Sequence, residues 1–216
     1  MPSSIAVIGG TGRHGRGLTR CLAHAGQHVI VGSRDPARAA AVIAEWPRAG
    51  IDTADYGTAI GEAEVVILAV PFGVVSGILE EQRRRFRARA LVIDVTVPVT
   101  FSDGRMSMIA VPEGSAAEHV REALPRDVRL AASFKTVPAH LLEAGTTSFD
   151  CDEFVCGDSD EARSRTSALV AMLPGVRPID VGPLDRARSI EHMTALAIAI
   201  NLHQRIHAAR FRVIGL

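Results

Sequence analysis

The chain has 216 residues, 47% of them hydrophobic and 22% charged, with 24 basic against 24 acidic side chains. That length suits one domain, or one domain with an extension packed onto it, and the zero net charge excludes the basic excess of a nucleic-acid binder. No run approaches the roughly 18 apolar residues of a membrane span. Three cysteines without a CxxC pair fit neither a disulfide framework nor a zinc ribbon.

The predicted elements alternate from the start. SIAVIGG (4–10) reads as a strand and residues 12–25 as a helix. HVIVGSR (28–34) is a second strand. DPARAAAVIAEW (35–46) opens as a helix should, with Asp35 as N-cap and Pro36 at the first helical position. IDTADYGTAIGEA (51–63) holds a brief strand and a short helix. EVVILAV (64–70) is a continuous apolar run, the mark of a strand buried on both faces. A helix over 74–86 and the strand ALVIDV (90–95) follow; the basic run Arg83 to Arg89 between them is a solvated helix end.

Residues 96–114 read as an irregular stretch, long enough to imply a functional loop. Ser115 and Glu118 form a capping box for a helix over 115–124. The second half continues with a strand (128–134), a short helix ending at Gly145, a strand (152–157), a helix (160–173) and a strand (176–182). From Pro183 the chain reads as helix to about Arg210. Its segment 190–202, IEHMTALAIAINL, is apolar around nearly its whole circumference, so a partner subunit is expected to cover it. Cys151 and Cys156 lie five apart in one strand and point to opposite faces.

Alternating strands and helices predict a doubly wound, mostly parallel α/β sheet. The soft boundary near residue 148 divides it into a nucleotide-binding domain (1–148) and a small C-terminal α/β extension (149–216). The first strand begins within about four residues of the N-terminus, so a signal peptide is not expected and a reducing cytoplasm is.

The first strand runs into Gly10-Thr11-Gly12-Arg13-His14-Gly15 and a helix. GxGxxG in that context is the fingerprint of a Rossmann dinucleotide site. Gly10 allows the tight turn, Gly12 lets a pyrophosphate approach the backbone, and Gly15 lets helix and strand pack closely. The first-turn amides and the helix dipole face the anion. At the end of the second strand stand Ser33 and Arg34, with Arg38 one turn on and no carboxylate free for a ribose 2′-hydroxyl. A hydroxyl and two guanidiniums suit a 2′-phosphate, which selects NADP over NAD. The other ligand-facing strand ends are 69–73, 94–99 and 132–138, where Phe72 and Phe134 are placed to pack on flat rings.

Acid–base chemistry is sparse. Tyr56 is the only tyrosine and Ile60 stands four residues on, so the YxxxK pair of short-chain dehydrogenases is absent. His203 and His207 share a helix face without a third ligand, so no metal is expected. A chain that binds NADP without an obvious acid or base suits an acceptor that is itself a hydride-carrying cofactor.

IAVIGGTGRHGRGL, VGSRDPARA, SAAEHV, FVCGDSDEA and RPIDVGPLDRARSIE together resemble the F420-dependent NADP reductases, in the same order and over almost the whole chain. The resemblance implies a Rossmann domain with a small C-terminal extension, a homodimer, and hydride transfer between NADPH and the deazaflavin coenzyme F420. It implies that Thr11, Gly12, Arg13 and His14 cradle the pyrophosphate and that Ser33, Arg34 and Arg38 bind the 2′-phosphate. Val70, Pro71, Val97, Pro98 and the 133–138 loop, with Thr136, Val137 and Pro138, then surround the two rings. The position after Phe134, commonly His or Asn in that family, is Lys135, the chain's only lysine. Phe134 and Lys135 are thus the expected catalytic pair, the lysine donating a proton or holding an anionic ring. Two other readings stand beside this one. One is an NADPH-dependent reductase of a flavin, ferric chelate or small carbonyl or imine, for which Lys135 is essential. The other is an NADP-binding protein without turnover.

Overall fold

The computed structural model describes residues 4–46, 50–143 and 148–216, with the backbone alone at 143. The expected helix end at Gly145 lies outside the described residues. The elements run β1 (Ile5–Ile8), α1 (Arg13–His24), β2 (Val29–Gly32), α2 (Pro36–Ala44), β3 (Ile51–Ala54), α3 (Tyr56–Glu62), β4 (Val65–Leu68), α4 (Phe72–Gln82) and β5 (Leu91–Asp94). They continue as β6 (Val99–Ser102), β7 (Arg105–Met108), α5 (Ala116–Ala123), β8 (Arg129–Ala132), α6 (Ala139–Glu143), β9 (Cys151–Gly157), α7 (Asp160–Val170), β10 (Val176–Pro183) and α8 (Ala187–Gln204).

Eight strands form one sheet in the order β10-β9-β8-β5-β4-β1-β2-β3. The four residues of β1, β2, β4 and β5 are all buried, because helices cover both faces of a parallel sheet. On one face Val7, Ile67 and Ile93 pack with Leu18 and Leu22 of α1; on the other Ala6, Val66 and Val92 pack with Ile60, Leu79 and Val120. Predicted local signals hold here: Asp35 accepts from the Arg38 amide at 3.0 Å with Pro36 at N1. Ser115 caps α5 by accepting from the Glu118 amide at 3.1 Å and donates to the Glu118 carboxylate at 2.7 Å.

One reversal matters for function. The first six strands of the sheet in sequence run parallel, but β9 pairs antiparallel with β8, with Ala131 opposite Gly157 and Ala132 opposite Cys156. β10 then runs parallel to β9. The residues after 148 therefore add two reversed strands to the same sheet. Cys151 and Cys156 face different clusters on β9, as the alternation predicts.

Two expectations are corrected. Residues 96–114 are not irregular throughout: β6 and β7 form an antiparallel hairpin around Asp103-Gly104. Both turn residues have positive φ (51° and 73°), and Asp-Gly is a sequence suited to such a two-residue turn. The last helix ends at Gln204 rather than near 210, with Arg205 left-handed at φ 54°. The Asn201 side chain accepts from the Ala209 amide at 2.9 Å, and the tail turns back so that the Asp152 amide donates to the Phe211 carbonyl at 2.9 Å. Within this one chain α8 is covered on one side only. It buries Ile190, Glu191, Thr194, Ala195 and Ala197, while Leu196 (54%) and Leu202 (49%) lie open.

Candidate active site

At the carboxyl ends of the parallel strands two cavities flank the glycine turn. The β1–α1 turn needs its glycines for steric reasons. Gly9 has φ +82° and a Cβ there would meet the Ala69 carbonyl at 2.6 Å; a Cβ on Gly15 would meet the Gly9 carbonyl at 2.4 Å. The left-handed residue of the turn is thus Gly9, not Gly10. Gly12 is the N-cap of the 12-residue α1 and offers no capping side chain. The first-turn amides are left for an anion.

The first cavity, about 490 Å³, is lined by Gly9, Thr11, Gly12, Ser33, Arg34 and Val70, with Tyr56, Pro71, Val74 and Ile78 as its apolar walls. The Ser33 hydroxyl donates to the Asp35 carbonyl at 3.1 Å, and the Asp35 carboxylate is occupied as the α2 cap. Arg34 and Arg38 are exposed and take part in no ion pair among the described residues. That leaves two uncompensated guanidiniums at the end of β2, as a 2′-phosphate requires. Tyr56 was not expected here; it arrives from the start of α3, which packs beside β2.

The second cavity, about 630 Å³, lies on the other side of the turn. Arg13 and His14 form one wall, Val95 and Val97 the floor after β5, Thr136, Val137 and Pro138 the loop after β8, and Thr194, Ala197, Ile198 and Asn201 of α8 the far side. The two cavities meet across Thr11-Gly12-Arg13-His14, so an extended dinucleotide laid over the turn reaches both. An unpartnered atom supports the fit. The His14 ring nitrogen Nε2 is buried without a hydrogen bond. Burial pushes the His14 pKa down to about 4, against the pull of a hydrogen bond to the Phe134 backbone. A neutral imidazole that donates to a carbonyl through Nδ1 keeps Nε2 as an acceptor. His14 therefore offers an acceptor that suits a hydroxyl or amide N–H.

The expected catalytic pair is corrected too. The Phe134 ring is fully buried in the core beside Val95, Val137 and Phe149, so it does not stack on a ligand. Its backbone is left-handed, with φ +55°. The Lys135 ammonium is wholly buried. It donates to Asp94 at 2.6 Å, to Glu191 at 3.2 Å and to the Thr96 carbonyl. Burial alone would lower its pKa, but the Asp94 and Glu191 carboxylates outweigh burial and raise it. Lys135 is a fixed cation at neutral pH rather than a proton donor, and what it presents to the cavity is backbone. Burial holds Glu191 above the usual carboxylate range despite Lys135, consistent with two carboxylates sharing one ammonium. Glu191 also accepts from the Ala116 amide at 3.1 Å at the start of α5.

Other expected residues divide. Thr136, Val137, Pro138 and Val97 line the second cavity as expected, whereas Val70 and Pro71 line the first. Pro98 is buried and lines neither; its carbonyl accepts from the Ile109 amide at 2.7 Å under the hairpin. Phe72 rests edge-on against His119, centroids 5.4 Å apart. Away from both cavities Ser76, His119 and Glu113 are hydrogen-bonded in line, at 2.7 and 2.9 Å. Ser76 lies inside α4, where its amide and its neighbours' are committed to the helix, so no oxyanion donors converge on it. The line ties α4 to α5.

The chain is similar in sequence and in fold to known proteins. The sequence profile of the NADP oxidoreductase, coenzyme F420-dependent family matches residues 4–98. The F420-dependent NADP reductase of Methanothermobacter marburgensis is 38% identical over 98% of both chains, and that of Methanocaldococcus jannaschii 31% over 98% of both. The crystal structure of a proposed F420-dependent NADP-reductase from Arthrobacter sp. FB24 superposes with a TM-score of 0.84 at 23% identity, covering 98% of this chain and 99% of that one.

Proposed function

The chain belongs to the F420-dependent NADP oxidoreductase family, and we propose that it transfers a hydride between NADPH and coenzyme F420 where its two cavities meet. The observation that carries this reading is relatedness to enzymes of that name along essentially the full length of both chains. The chemistry resides in the two carriers, one giving and one taking the hydride.

The protein's part is to bind, orient and exclude water. Arg34 and Arg38, with the Ser33 hydroxyl between them and β2, hold the 2′-phosphate. The N-terminal amides of α1 hold the pyrophosphate. Val74, Ile78 and Tyr56 give the adenine an apolar slot. On the far side His14 Nε2 accepts from the dinucleotide, and Val95, Val97 and Val137 form an apolar floor. Such a floor suits two flat rings held face to face, where orientation supplies roughly 7–11 kcal/mol of barrier reduction. Lys135 is not asked to move a proton.

The open face of α8, with Leu196, Ala199 and Leu202, supports a homodimer built on that helix. Ala199→Arg should give a monomer in light scattering; a wild-type chain that is already an active monomer would refute it. The three cysteines are free thiols, which supports a cytoplasmic location. The activity test mixes purified protein, NADPH and F420 and follows loss of deazaflavin absorbance. Absence of turnover by a protein that binds NADPH would sink the reading.

A further inference from the structure

We propose that Glu153 is the positioning residue of the hydride-transfer site, its carboxylate clamping the consecutive amides of Lys135, Thr136 and Val137 and so shaping the loop that lines the acceptor-side cavity. The proposal rests on the functional reading above.

The geometry is specific. Glu153 Oε1 accepts from the Lys135 amide at 2.9 Å. Oε2 accepts from the Thr136 amide at 3.1 Å, the Thr136 hydroxyl at 2.7 Å and the Val137 amide at 2.9 Å. The carboxyl group is wholly buried. The rest of the loop backbone is held as well: the Ser133 amide donates to the Asp94 carbonyl at 3.2 Å, and the Thr194 hydroxyl donates to the Lys135 carbonyl at 3.1 Å. Only Glu153 accounts for three successive amides. Consecutive amides turned toward one point cannot be satisfied by a sheet ladder, so without this acceptor they would be buried and unpaired.

The clamp needs the charged form. A carboxylate offers acceptors only, whereas a protonated acid or a glutamine carboxamide puts a donor against one of these N–H groups. Burial pushes the Glu153 pKa up to about 7, against the pull of the Thr136, Lys135 and Val137 hydrogen bonds. The ionised clamp is therefore lost as pH falls through neutrality. The other ionisable groups around it are accounted for. On its own strand, burial pushes the Cys151 thiol up to about 11, and the Arg177 guanidinium holds Asp152 low on the opposite face. Across the loop Lys135 is raised between Asp94 and Glu191, and from α1 His14 sits at about 4. The exposed histidines at the cavity rim, His140 and His207, are separated from Glu153 by comparison with the variant.

The experiment compares wild type and E153Q from pH 5.5 to 8.5 in two arms: NADPH–F420 turnover, and NADPH fluorescence of the binary complex without acceptor. Wild type should show a step near pH 7 in kcat and in nicotinamide emission, with the higher kcat on the alkaline side. E153Q should lack both steps and run about ten- to a hundred-fold lower in kcat at pH 8, the scale of a slight misplacement of reacting rings. Its KM for NADPH should stay within about two-fold, because the 2′-phosphate site lies in the other cavity. Wild-type kcat and an unchanged step in E153Q would overturn the proposal. A wild type inert toward F420 would instead overturn the functional reading, and the fluorescence arm still decides on Glu153. If E153Q does not fold, T136V removes one of the clamped donors. The same loss in smaller measure supports the clamp, and unchanged kcat and pH step overturn it.

Discussion

The two cavities on either side of the glycine turn are built in opposite ways. The phosphate side uses exposed cations from one short segment, Ser33 to Arg38, on a strand end and the first turn of the next helix. The acceptor side has Arg13 and Arg205 on its lining, but the wall formed by the loop after β8 presents backbone and apolar surface, with charges buried behind it: Lys135 between Asp94 and Glu191, and Glu153 under three amides. The first recognises an anion directly, so its groups must be accessible. The loop wall of the second holds a shape, so the charges behind it must be inaccessible and paired. Losing a surface cation costs a ligand contact, whereas losing a buried one costs the fold around the ligand.

The sharpest way to break that comparison is Lys135→Met. It leaves Asp94 and Glu191 buried with no cation between them, and should cost about 3–5 kcal/mol of stability in urea unfolding. Arg34→Ala should change stability by no more than about 0.5 kcal/mol. A Lys135→Met protein as stable as wild type would mean that the buried ions hold nothing in place.

Next is the pH dependence of stability. The Glu153 pKa rises from 4.5 to about 7 on folding, so folding disfavours the ionised form. Its contribution is fully present below the unfolded value and is lost as pH rises through about 7. Wild type should therefore lose roughly 3 kcal/mol relative to E153Q between pH 4.5 and pH 8, and difference curves from urea unfolding measure this directly. Parallel curves would remove the argument. A carboxylate kept ionised against the interest of stability is the mark of a group retained for its site.

On the phosphate side Arg34→Ala should raise KM for NADPH about ten- to a hundred-fold, the worth of a charge-assisted bond, and leave NADH nearly untouched. Equal losses on both coenzymes would show that Arg34 does not read the 2′-phosphate. The smallest effect is expected of Phe72→Leu. Its ring meets His119 rather than a ligand, so kcat should stay within about two-fold of wild type. A large loss there would place a coenzyme ring against α4.

The amino-acid sequence by itself determined what depends on neighbours in the chain. The β1–α1 turn, the Asp35 and Ser115 caps, the apolar runs of the buried strands and the Arg34–Arg38 cluster are local patterns, and local sterics and hydrogen bonding are enough to specify them. The hairpin at Asp103-Gly104 was not read from the sequence, which showed only an irregular stretch there. What only the tertiary structure decided lies on the acceptor side. Lys135 looks like a catalytic lysine until the fold brings Asp94 and Glu191 to it across sequence separations of 41 and 56 residues. Glu153 carries no motif. It reaches the loop because β9 runs antiparallel to β8: with Ala132 opposite Cys156, the residues before Cys156 continue alongside the residues after Ala132. A buried charge likewise takes its meaning from partners that no spacing rule connects, because burial and pairing exist only once distant segments have met.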